Sequence, residues 1–294
     1  MYEFILNQHI TKAIVAQTNY NLEDNAYLAY SGGKDSCVAS KILDLALPYN
    51  EIPRVFINTG IEYSAVVRFV RQQAAKDRRI VIINAGVNIK SMLEKYGYPF
   101  KSKEHSHKMA LLASGSTAPS VIDYFTKDGR FKCPLILRYQ YENPPFNISD
   151  KCCYYLKKAP ARRFEKASGR RIIMTGIRKA EGGQRANKAC TSFDKSGKLT
   201  RFHPCFNATD DFIEQFIKNY AVEICDLYKP PFNFKRTGCK GCPFGLELQE
   251  QLLLMQKLLP SEYNQAWYLW GKVYDEYLRL NFRLKKSELQ PDPF

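Results

Sequence analysis

The stretch AYLAYSGGKDSCVASKILDLAL, residues 26–47, decides the fold. Its first five residues, Ala26–Tyr30, form a short apolar run that predicts a buried strand. After the glycines, apolar residues recur at helical spacing and predict a helix. The SGGKDS segment at residues 31–36 is therefore a glycine turn that leads into a helix start. A strand, a glycine turn and a helix in this order indicate an α/β unit whose ligand site lies at the turn.

The turn itself has the chemistry of an anion site. Its glycines let the backbone curl so that several N–H groups point one way, and the helix N-terminus adds its positive end. Its serines can donate hydroxyl groups and its lysine supplies a point charge. The P-loop pattern of kinases and GTPases, G-x-x-x-x-G-K-[ST], is absent. The candidate ligand-binding residues of the turn are Ser31, Gly32, Gly33, Lys34, Asp35 and Ser36.

The composition sets broad limits on what this chain is. Its 294 residues suit one large domain with an appended part, or two modest domains. With 45% hydrophobic and 13% aromatic residues, the chain can bury a proper core. Because no apolar stretch is long enough to cross a membrane and the N-terminal segment lacks a basic leader, we expect a cytoplasmic protein without a membrane partner. The nine cysteines then indicate metal ligands, redox groups or core thiols rather than disulfides.

Positive charge is concentrated in one part of the chain. The net charge is +15, and residues 151–188 alone hold 12 Lys and Arg against 2 Asp and Glu, a local net charge of +10. Charge this concentrated indicates a polyanionic partner, either a nucleotide or a nucleic acid. A solvated basic face is the alternative interpretation.

Further strands and helices alternate along the first two thirds of the chain. We predict strands at residues 54–58, 79–83 and 171–175, with helices at about 4–18 and 62–75. This alternation of strands and helices predicts a Rossmann-like parallel sheet, in which ligands bind at the carboxyl ends of the strands.

The remaining segments are read from composition and spacing. Residues 96–150 are rich in turn residues, so we expect loops or a mobile insertion there, with His105 and His107 facing solvent. From Asp210 onward the pattern is mainly helical, and its aromatic residues at 263–277 fit a packed core stripe. We predict an α/β nucleotide-binding domain over 1–205 and a helical C-terminal region over 206–294.

The cysteines contain a pattern typical of metal sites. A tandem pair, Cys152-Cys153, lies far in sequence from a C-x-x-C motif flanked by glycines, Cys239 and Cys242. A C-x-x-C turn lets two thiolates face one ion, and alone it fits half a zinc site as well as an iron–sulfur site. Adjacent ligands are awkward around one tetrahedral zinc ion but can bind different irons of a cubane. The tandem pair therefore favours an iron–sulfur cluster, with zinc and unmetallated thiols as alternatives.

SGGKDS resembles the PP-loop of the adenine-nucleotide α-hydrolase superfamily, whose members bind ATP and cleave it between the α- and β-phosphates. The later motifs resemble those of the phosphoadenosine-phosphosulfate (PAPS) reductase family, which also includes ATP-dependent sulfurtransferases. INTGIE at 57–62 is similar to the D-T-G motif of that family, with Asn58 in place of the usual aspartate. The resemblance implies that Asn58, Thr59 and Gly60 approach the adenine or ribose.

GIRKAEGGQR at 176–185 resembles the G-I-R-x-x-E-S-x-x-R stretch of the same family, with Gly183 displacing the usual serine. The resemblance implies that Gly176 and Arg178 line the nucleotide site. Arg178 and Arg185 can each form paired hydrogen bonds to phosphate or sulfate oxygens, which a lysine cannot do. Glu181 can orient one of the two arginines.

The pattern C-C…C-x-x-C, with a lysine five residues after the first cysteine, resembles the [4Fe–4S] signature of the bacterial and plant reductases of this family. The resemblance implies that Cys152, Cys153, Cys239 and Cys242 ligate the cluster and that Lys157 lies close to it. Cys205 is a possible replacement for one of the tandem pair. Four other cysteines fit packed or free thiols: Cys37, Cys133, Cys190 and Cys225.

Two departures from the reductases bear on the activity. The intact SGGKDS favours a true triphosphate with Mg²⁺, and no cysteine follows Cys242, so the reductases' nucleophilic tail thiol has no counterpart here. We therefore expect an ATP-dependent sulfurtransferase that adenylates an acceptor, a tRNA base or DNA phosphate, with sulfur from a donor protein. The expected catalytic residues are Lys34, Asp35, Lys157, Arg178 and Arg185.

Two alternatives stay open: a sulfonucleotide reductase that takes its thiol from another protein, and a catalytically silent sensor of nucleotides or nucleic acids. Sequence does not indicate the oligomeric state.

Overall fold

The computed structural model describes residues 2–182 and 185–286, and these form two compact units. The sheet unit comprises the chain up to Asn58, Ser64–Asn84 and Pro160–Thr237. The cysteine unit comprises Thr59–Tyr63, Ala85–Ala159 and the chain from Gly238 onward. The domain boundary predicted after residue 205 stays a prediction, because these units describe compactness and not independent folding.

The sheet unit contains a six-stranded sheet in the order β3-β2-β1-β4-β6-β5. Its strands are β1 (Ala26–Ala29), β2 (Arg54–Asn58), β3 (Ile80–Asn84), β4 (Ile172–Thr175), β5 (Thr191–Phe193) and β6 (Leu199–Phe202). All neighbours pair in parallel except β5 and β6, which form an antiparallel edge hairpin. The predicted Rossmann-like parallel sheet is confirmed, and the sequence pattern did not predict the edge hairpin.

Helices of very different length surround the sheet and build the cysteine unit. They are α1 (Tyr2–Tyr20), α2 (Leu22–Asn25), α3 (Lys34–Ala46), α4 (Ser64–Lys76), α5 (Ile89–Tyr96), α6 (Lys103–Ala113), α7 (Pro119–Thr126), α8 (Lys151–Cys153), α9 (Ala159–Ser168), α10 (Asp210–Asn219), α11 (Leu248–Leu258) and α12 (Pro260–Arg279). A π-helical turn, Tyr154–Lys158, joins α8 to α9. Short 3₁₀ turns cover Leu135–Tyr141, Lys179–Glu181 and Asp226–Tyr228. Within the described ranges, no helix has the length and apolar character needed to cross a membrane.

The centre of the sheet unit is the β1–α3 pair, as the opening stretch of sequence predicts. Leu28 of β1 is fully buried, and so are Val38, Ile42 and Leu43 of α3. Burying an aliphatic side chain of this size stabilises the fold by about 1.5–3 kcal/mol. The rigid packing of β1 against its helix fixes the position of the turn between them.

The segment predicted to be loops, residues 96–150, is about half helical. It contains α6, α7 and a 3₁₀ turn over Leu135–Tyr141. The expectation that His105 faces solvent is wrong: its ring is fully buried, with Nε2 2.9 Å from Gln140 Oε1 and Nδ1 3.3 Å from the Tyr124 hydroxyl. Burial lowers the pKa of His105 to about 4, so the ring is neutral at physiological pH. His107 is exposed, 3.6 Å from the Asp150 carboxylate.

Candidate functional site

The SGGKDS turn lies at the carboxyl end of β1, where the parallel sheet presents ligands. Ser36 Oγ donates a hydrogen bond to the Gly33 carbonyl at 2.8 Å and lies 3.2 Å from the Ser31 nitrogen. Ser31 Oγ in turn accepts from the Gly33 N–H at 3.3 Å. Gly33 is the N-cap of α3 and has no side chain of its own to cap the helix. The two serines hold the turn in shape and leave the start of the helix facing the site.

Gly176, at the end of β4, packs directly against this turn. A Cβ at Gly176 would lie 2.6 Å from the Asp35 carbonyl oxygen and 2.7 Å from its carbonyl carbon, distances that real Cβ atoms do not adopt, and 3.0 Å from the Ser36 nitrogen. Only glycine lets the β4 end approach the start of α3 this closely. The predicted residues Gly176, Asp35 and Ser36 therefore meet at one place.

Arg178 is buried and anchors the acidic residue of the turn. Its side chain is 3% exposed. Nε donates to Asp35 Oδ1 at 2.8 Å, Nη2 donates to Asp210 Oδ1 at 2.7 Å, and Nη1 donates to the Ala208 carbonyl at 3.1 Å. The predicted direct contact of Arg178 with phosphate stays a prediction. In this structure, Arg178 holds the Asp35 carboxylate in a fixed position.

Glu181 joins three arginines beside this network. Its carboxylate accepts the Arg178 backbone N–H at 3.1 Å and forms ion pairs with Arg185 and, at 3.3 Å, with Arg236. Arg185 is 43% exposed and Arg236 is 55% exposed, so both keep contact with solvent. Burial and the neighbouring Arg236 and Arg178 lower the pKa of Arg185. Glu181 thus holds two partly exposed guanidinium groups near the turn, and the expected orienting role of Glu181 has a structural counterpart.

Arg236 is a candidate that the sequence analysis missed. It lies in the loop FKRTG before the C-x-x-C motif. A pair of basic residues in a loop does not by itself indicate a functional site. Hydrogen bonding to Arg178 lowers the pKa of Asp210, and the charges of Lys34 and Arg236 lower it further. These cations therefore share the electrostatic environment of Asp210.

Two hydroxyl groups that the sequence did not indicate lie over the turn. The Tyr228 hydroxyl is 2.6 Å from Thr237 Oγ1 and accepts the backbone N–H of Lys34. A Cβ at Gly33 would lie 3.0 Å from the Tyr228 hydroxyl. Burial raises the pKa of Tyr228 to about 12, so the group is a neutral hydroxyl that can donate to an anion. No motif predicts this contact, because the chain returns to the turn only after nearly 200 residues.

The residues that resemble the D-T-G motif fall into different units. Asn58 ends β2 in the sheet unit, and its amide donates to Asn84 Oδ1 at 3.1 Å. Thr59 and Gly60 belong to the cysteine unit, where the Thr59 N–H and hydroxyl donate to the Glu62 carboxylate at 2.9 and 2.7 Å. Contact of these three residues with a nucleotide stays a prediction.

The four predicted cysteine ligands all lie in the cysteine unit. Cys152 and Cys153 form the end of α8, immediately before the π-helical turn, and their side chains share a hydrogen bond. The charges of Cys239 and Cys242 act on Cys152 as well. The fold therefore brings the tandem pair and the C-x-x-C motif into one electrostatic neighbourhood.

The thiols of this cluster differ in acidity. The hydrogen bond from Cys152, with Lys103 and Lys157 nearby, lowers the pKa of Cys153 below its ordinary value, while the same hydrogen bond and burial raise the pKa of Cys152. Burial raises the pKa of Cys242 to about 12 and also raises that of Cys239. A metal that binds these thiols must therefore overcome the cost of buried thiolate charge.

Lys157 lies in the π-helical turn and supplies positive charge to the cluster. The pKa of Lys157 is raised, chiefly by the charge of Cys239 and also by Glu62, Cys153 and Cys242. Lys157 therefore shares the electrostatic environment of the cysteines, and its role beside a cluster stays a prediction. Four thiols can act as metal ligands, and the nearby ammonium of Lys157 can balance their charge, which fits a cysteine-ligated metal centre. Within residues 2–182 and 185–286, however, no three His, Cys, Asp or Glu side chains are arranged to hold a single metal ion.

The other cysteines have separate environments. Cys205 is fully buried in the sheet unit, where Asp35 and Arg178 are its charged neighbours. The four thiols expected to be packed or free carry no disulfide; Cys37, Cys133 and Cys225 are buried, and Cys190 is half-buried. The predicted serine displacement at Gly183 lies outside the described residues.

Comparison with known proteins matches one part of the chain to a known domain. Residues 135–244 match the model of the phosphoadenosine phosphosulfate reductase domain. This segment, just over a third of the chain, is what the chain shares with the phosphoadenosine phosphosulfate reductase domain. The matched segment includes all four clustered cysteines, Lys157 and the GIRKAEGGQR stretch, and it lies downstream of SGGKDS.

The relatives found by comparison of whole sequences are distant or uncharacterised. An uncharacterised protein of Methanocaldococcus jannaschii is 34% identical over 270 residues, which cover 90% of this chain and 52% of that protein. An adenosine 5'-phosphosulfate reductase of Rhodococcus opacus is 27% identical over 93 residues, covering 32% of this chain and 36% of the reductase. The chain thus spans about half the length of the first relative and about a third of the second.

Among solved structures, the PAPS reductase of Candida auris in its phosphate complex is 17% identical, covers 73% of this chain and 81% of its own, and has a TM-score of 0.43. A likeness at this level carries no argument about activity.

Proposed function

We propose that this chain is an ATP-binding enzyme that activates an acceptor oxygen as its adenylate and replaces it with sulfur. The observation that carries the proposal is that the SGGKDS turn has a fixed shape and an anchored carboxylate. Its shape is fixed by Ser31 and Ser36, and its carboxylate, Asp35, is held by Arg178. A carboxylate beside a phosphate-binding turn is the kind of ligand that Mg²⁺ uses in nucleotide sites.

The charges around the turn fit a polyphosphate leaving group. Lys34 begins α3, and Arg185 and Arg236 are held by Glu181 with their guanidinium groups partly exposed. When the acceptor oxygen attacks the α-phosphorus of ATP, the bond to the bridging oxygen breaks and pyrophosphate leaves with the electron pair. Cations and N–H groups at that position stabilise the growing negative charge. Arg178 acts here by orienting Asp35.

The sulfur half of the reaction is assigned to the cysteine unit. Cys152, Cys153, Cys239 and Cys242 would hold a [4Fe–4S] cluster, or zinc in the alternative case. A cluster supplies a place for sulfide when bound. Sulfur at the oxidation level of sulfide replaces the adenylated oxygen, and AMP leaves, so the replacement itself consumes no electrons. Lys157 balances the thiolate charge of this region.

A nucleic-acid acceptor is proposed for the exposed basic residues of the sheet unit. Arg162, Arg163 and Lys166 lie on α9, and Lys179 follows Arg178; all four are exposed. Lysine and arginine spaced along a helix can contact successive phosphates. A tRNA or a DNA would then present the oxygen that ATP activates.

The second candidate function is a sulfonucleotide reductase with a thiol from another protein. It is favoured by the domain that residues 135–244 match and by the similarity to an adenosine 5'-phosphosulfate reductase. A reductase would bind the phosphosulfate more tightly than ATP, because its site must recognise the sulfate group.

The deciding experiment is a calorimetric comparison of nucleotides with anaerobically purified protein, combined with iron, sulfide and zinc analysis. Tight binding of ATP with Mg²⁺ and pyrophosphate release in the presence of tRNA or DNA are expected for the sulfurtransferase. Preference for adenosine 5'-phosphosulfate over ATP would refute it in favour of the reductase. Tight ATP binding with no turnover of any acceptor would indicate a sensor.

A further inference from the structure

The C-x-x-C turn is attached to α12 by a regular series of hydrogen bonds. Trp270 Nε1 donates to the Lys240 carbonyl at 3.0 Å, the Tyr274 hydroxyl donates to the Gly241 carbonyl, and the Tyr277 hydroxyl donates to the Pro243 carbonyl at 3.0 Å. These three side chains are called the aromatic clamp. They are spaced by four and three residues, so they lie on one face of α12.

The clamp is buried and its fit to the turn is close. Trp270, Tyr274 and Tyr277 are each at most 1% exposed. Gly241 has a φ of +57°, and a Cβ there would collide with the Tyr274 hydroxyl and lie 2.8 Å from Ala266 Cβ. The turn can therefore reach α12 only because position 241 has no side chain and can adopt a left-handed backbone conformation.

Other hydrogen bonds hold the same turn at Lys240, the first of the two residues between the cysteines. Lys240 donates through its backbone N–H to the Ile61 carbonyl at 2.8 Å, and its ammonium contacts Glu262 and, at 2.6 Å, Gln265 Oε1. The Lys240 side chain is 3% exposed, so this contact is internal. Lys240 points into the protein and is fixed there, and it is not available to a ligand at the surface.

One hydrogen bond of the clamp is connected to a cysteine sulfur through a single peptide group. The Pro243 carbonyl accepts from Tyr277 and also from Arg283 at 2.7 Å. The same peptide group carries the Phe244 N–H, which donates to the Cys242 thiol. Hydrogen bonds to the carbonyl of a peptide strengthen the donation from its N–H, because the group polarises as a whole. Tyr277 and Arg283 thus act on Cys242 through one peptide.

We propose that the aromatic clamp preorganises the C-x-x-C turn, so that the backbone that carries Cys239 and Cys242 is already ordered before metal arrives. This inference rests on the proposed assignment of these cysteines as metal ligands. Tyr274 and Tyr277 are positioning residues, since they touch the backbone of the turn and not the sulfurs. Without the clamp, the turn must become ordered when the metal binds. The free-energy cost of that ordering then weakens metal binding.

The test uses Tyr274→Phe, Tyr277→Phe and the double variant of the full chain, each of which removes a hydroxyl and keeps the ring. Tyr268→Phe is the matched control, because Tyr268 lies on the same helix but is 66% exposed. Metal-free protein is titrated with Co²⁺ as a coloured probe of thiolate ligation. In parallel, hydrogen exchange is measured by mass spectrometry on peptides that cover residues 239–245.

We expect each single clamp variant to bind Co²⁺ about 10-fold more weakly and the double variant about 100-fold more weakly, in line with the effect of residues that orient metal ligands. Exchange at 239–245 should rise by about 5- to 10-fold for each lost hydroxyl, and Tyr268→Phe should match the wild type in both measurements. Wild-type exchange and Co²⁺ affinity in a folded double variant would overturn the inference. Faster exchange in the variants of a protein that binds neither Co²⁺ nor an iron–sulfur cluster would support the clamp and refute the metal site.

Discussion

Replacing Arg178 with lysine separates the charge of this residue from its geometry. A lysine ammonium keeps the positive charge but cannot reach three acceptors as a planar guanidinium does. The acceptors are Asp35, Asp210 and the Ala208 carbonyl, at 2.8, 2.7 and 3.1 Å. Arg178→Lys therefore leaves at least one acceptor in this buried network without its donor.

The magnitude follows from the exposure of each acceptor. Asp210 is 67% exposed, so losing its bond counts for at most about 1 kcal/mol. Loss of a charge-assisted bond inside the protein counts for about 1.5–3 kcal/mol. We expect Arg178→Lys to lower the free energy of unfolding by about 2–4 kcal/mol. Because Asp35 loses its anchor, the affinity for ATP with Mg²⁺ should fall by about 10-fold or more.

The assay is urea denaturation combined with calorimetric titration of ATP and Mg²⁺. Arg171→Lys is the control, because Arg171 lies exposed just before β4 in the same unit. A folded Arg178→Lys protein that unfolds within about 0.5 kcal/mol of the wild type and binds ATP equally well would refute the reasoning.

The same pair makes a prediction about pH. Hydrogen bonding to Arg178 lowers the pKa of Asp210 below its ordinary value. A carboxyl group whose folded pKa is the lower one stabilises the protein above its unfolded pKa, about 3.9, and loses that stabilisation as the pH falls through the folded pKa. The acid side of the stability profile should therefore be flatter in Arg178→Lys. Profiles of the two proteins that run parallel below about pH 4 would contradict this assignment.

Three further predictions concern the turn, the basic face and the cysteines. Gly33→Val places a side chain next to the Tyr228 hydroxyl, 3.0 Å from the added Cβ, and should abolish ATP binding in calorimetry without unfolding the protein; unchanged affinity would remove the turn from the site. The double variant Arg163→Ala and Lys166→Ala should weaken tRNA or DNA binding and reduce its salt dependence by about two counterions in filter binding, and a wild-type salt slope would exclude α9 as the contact. Cys242→Ser should lose the brown colour of anaerobically purified protein, which should contain about four irons and four sulfides per chain; stoichiometric zinc in colourless protein would refute the cluster.

Sequence patterns were sufficient for the central part of the fold. Short apolar runs between glycine turns located β1 to β4, because buried parallel strands need continuous apolar side chains. The β5–β6 hairpin escaped prediction because its strands have only three and four residues and include polar side chains at the sheet edge. Residues 96–150 were read as loops from their turn residues, and their apolar contacts override that local preference.

The candidate site was predicted where it is local in sequence and missed where it depends on tertiary contacts. SGGKDS and the cysteine motifs are contiguous and carry their own spacing. Tyr228 and Arg236 lie near the turn only because the folded chain comes back to it about 200 residues later. No local sequence pattern indicates such a tertiary contact. Of the five aromatic residues of α12 predicted to form a core stripe, Tyr263 and Trp267 are only half-buried. Trp270, Tyr274 and Tyr277 are buried. Burial patterns do not reveal that their polar atoms face backbone carbonyls.

The close packing of Gly241 against α12 also restricts how such sequences can change. A residue with a Cβ at 241 would collide with the Tyr274 hydroxyl and press on Ala266. An asparagine, which tolerates a left-handed backbone, would therefore be accepted only together with Phe at 274 and Gly at 266. Among natural variants of this chain, positions 241, 266 and 274 should change as a set. A library that varies these three positions together should yield folded proteins mainly from such compensated combinations.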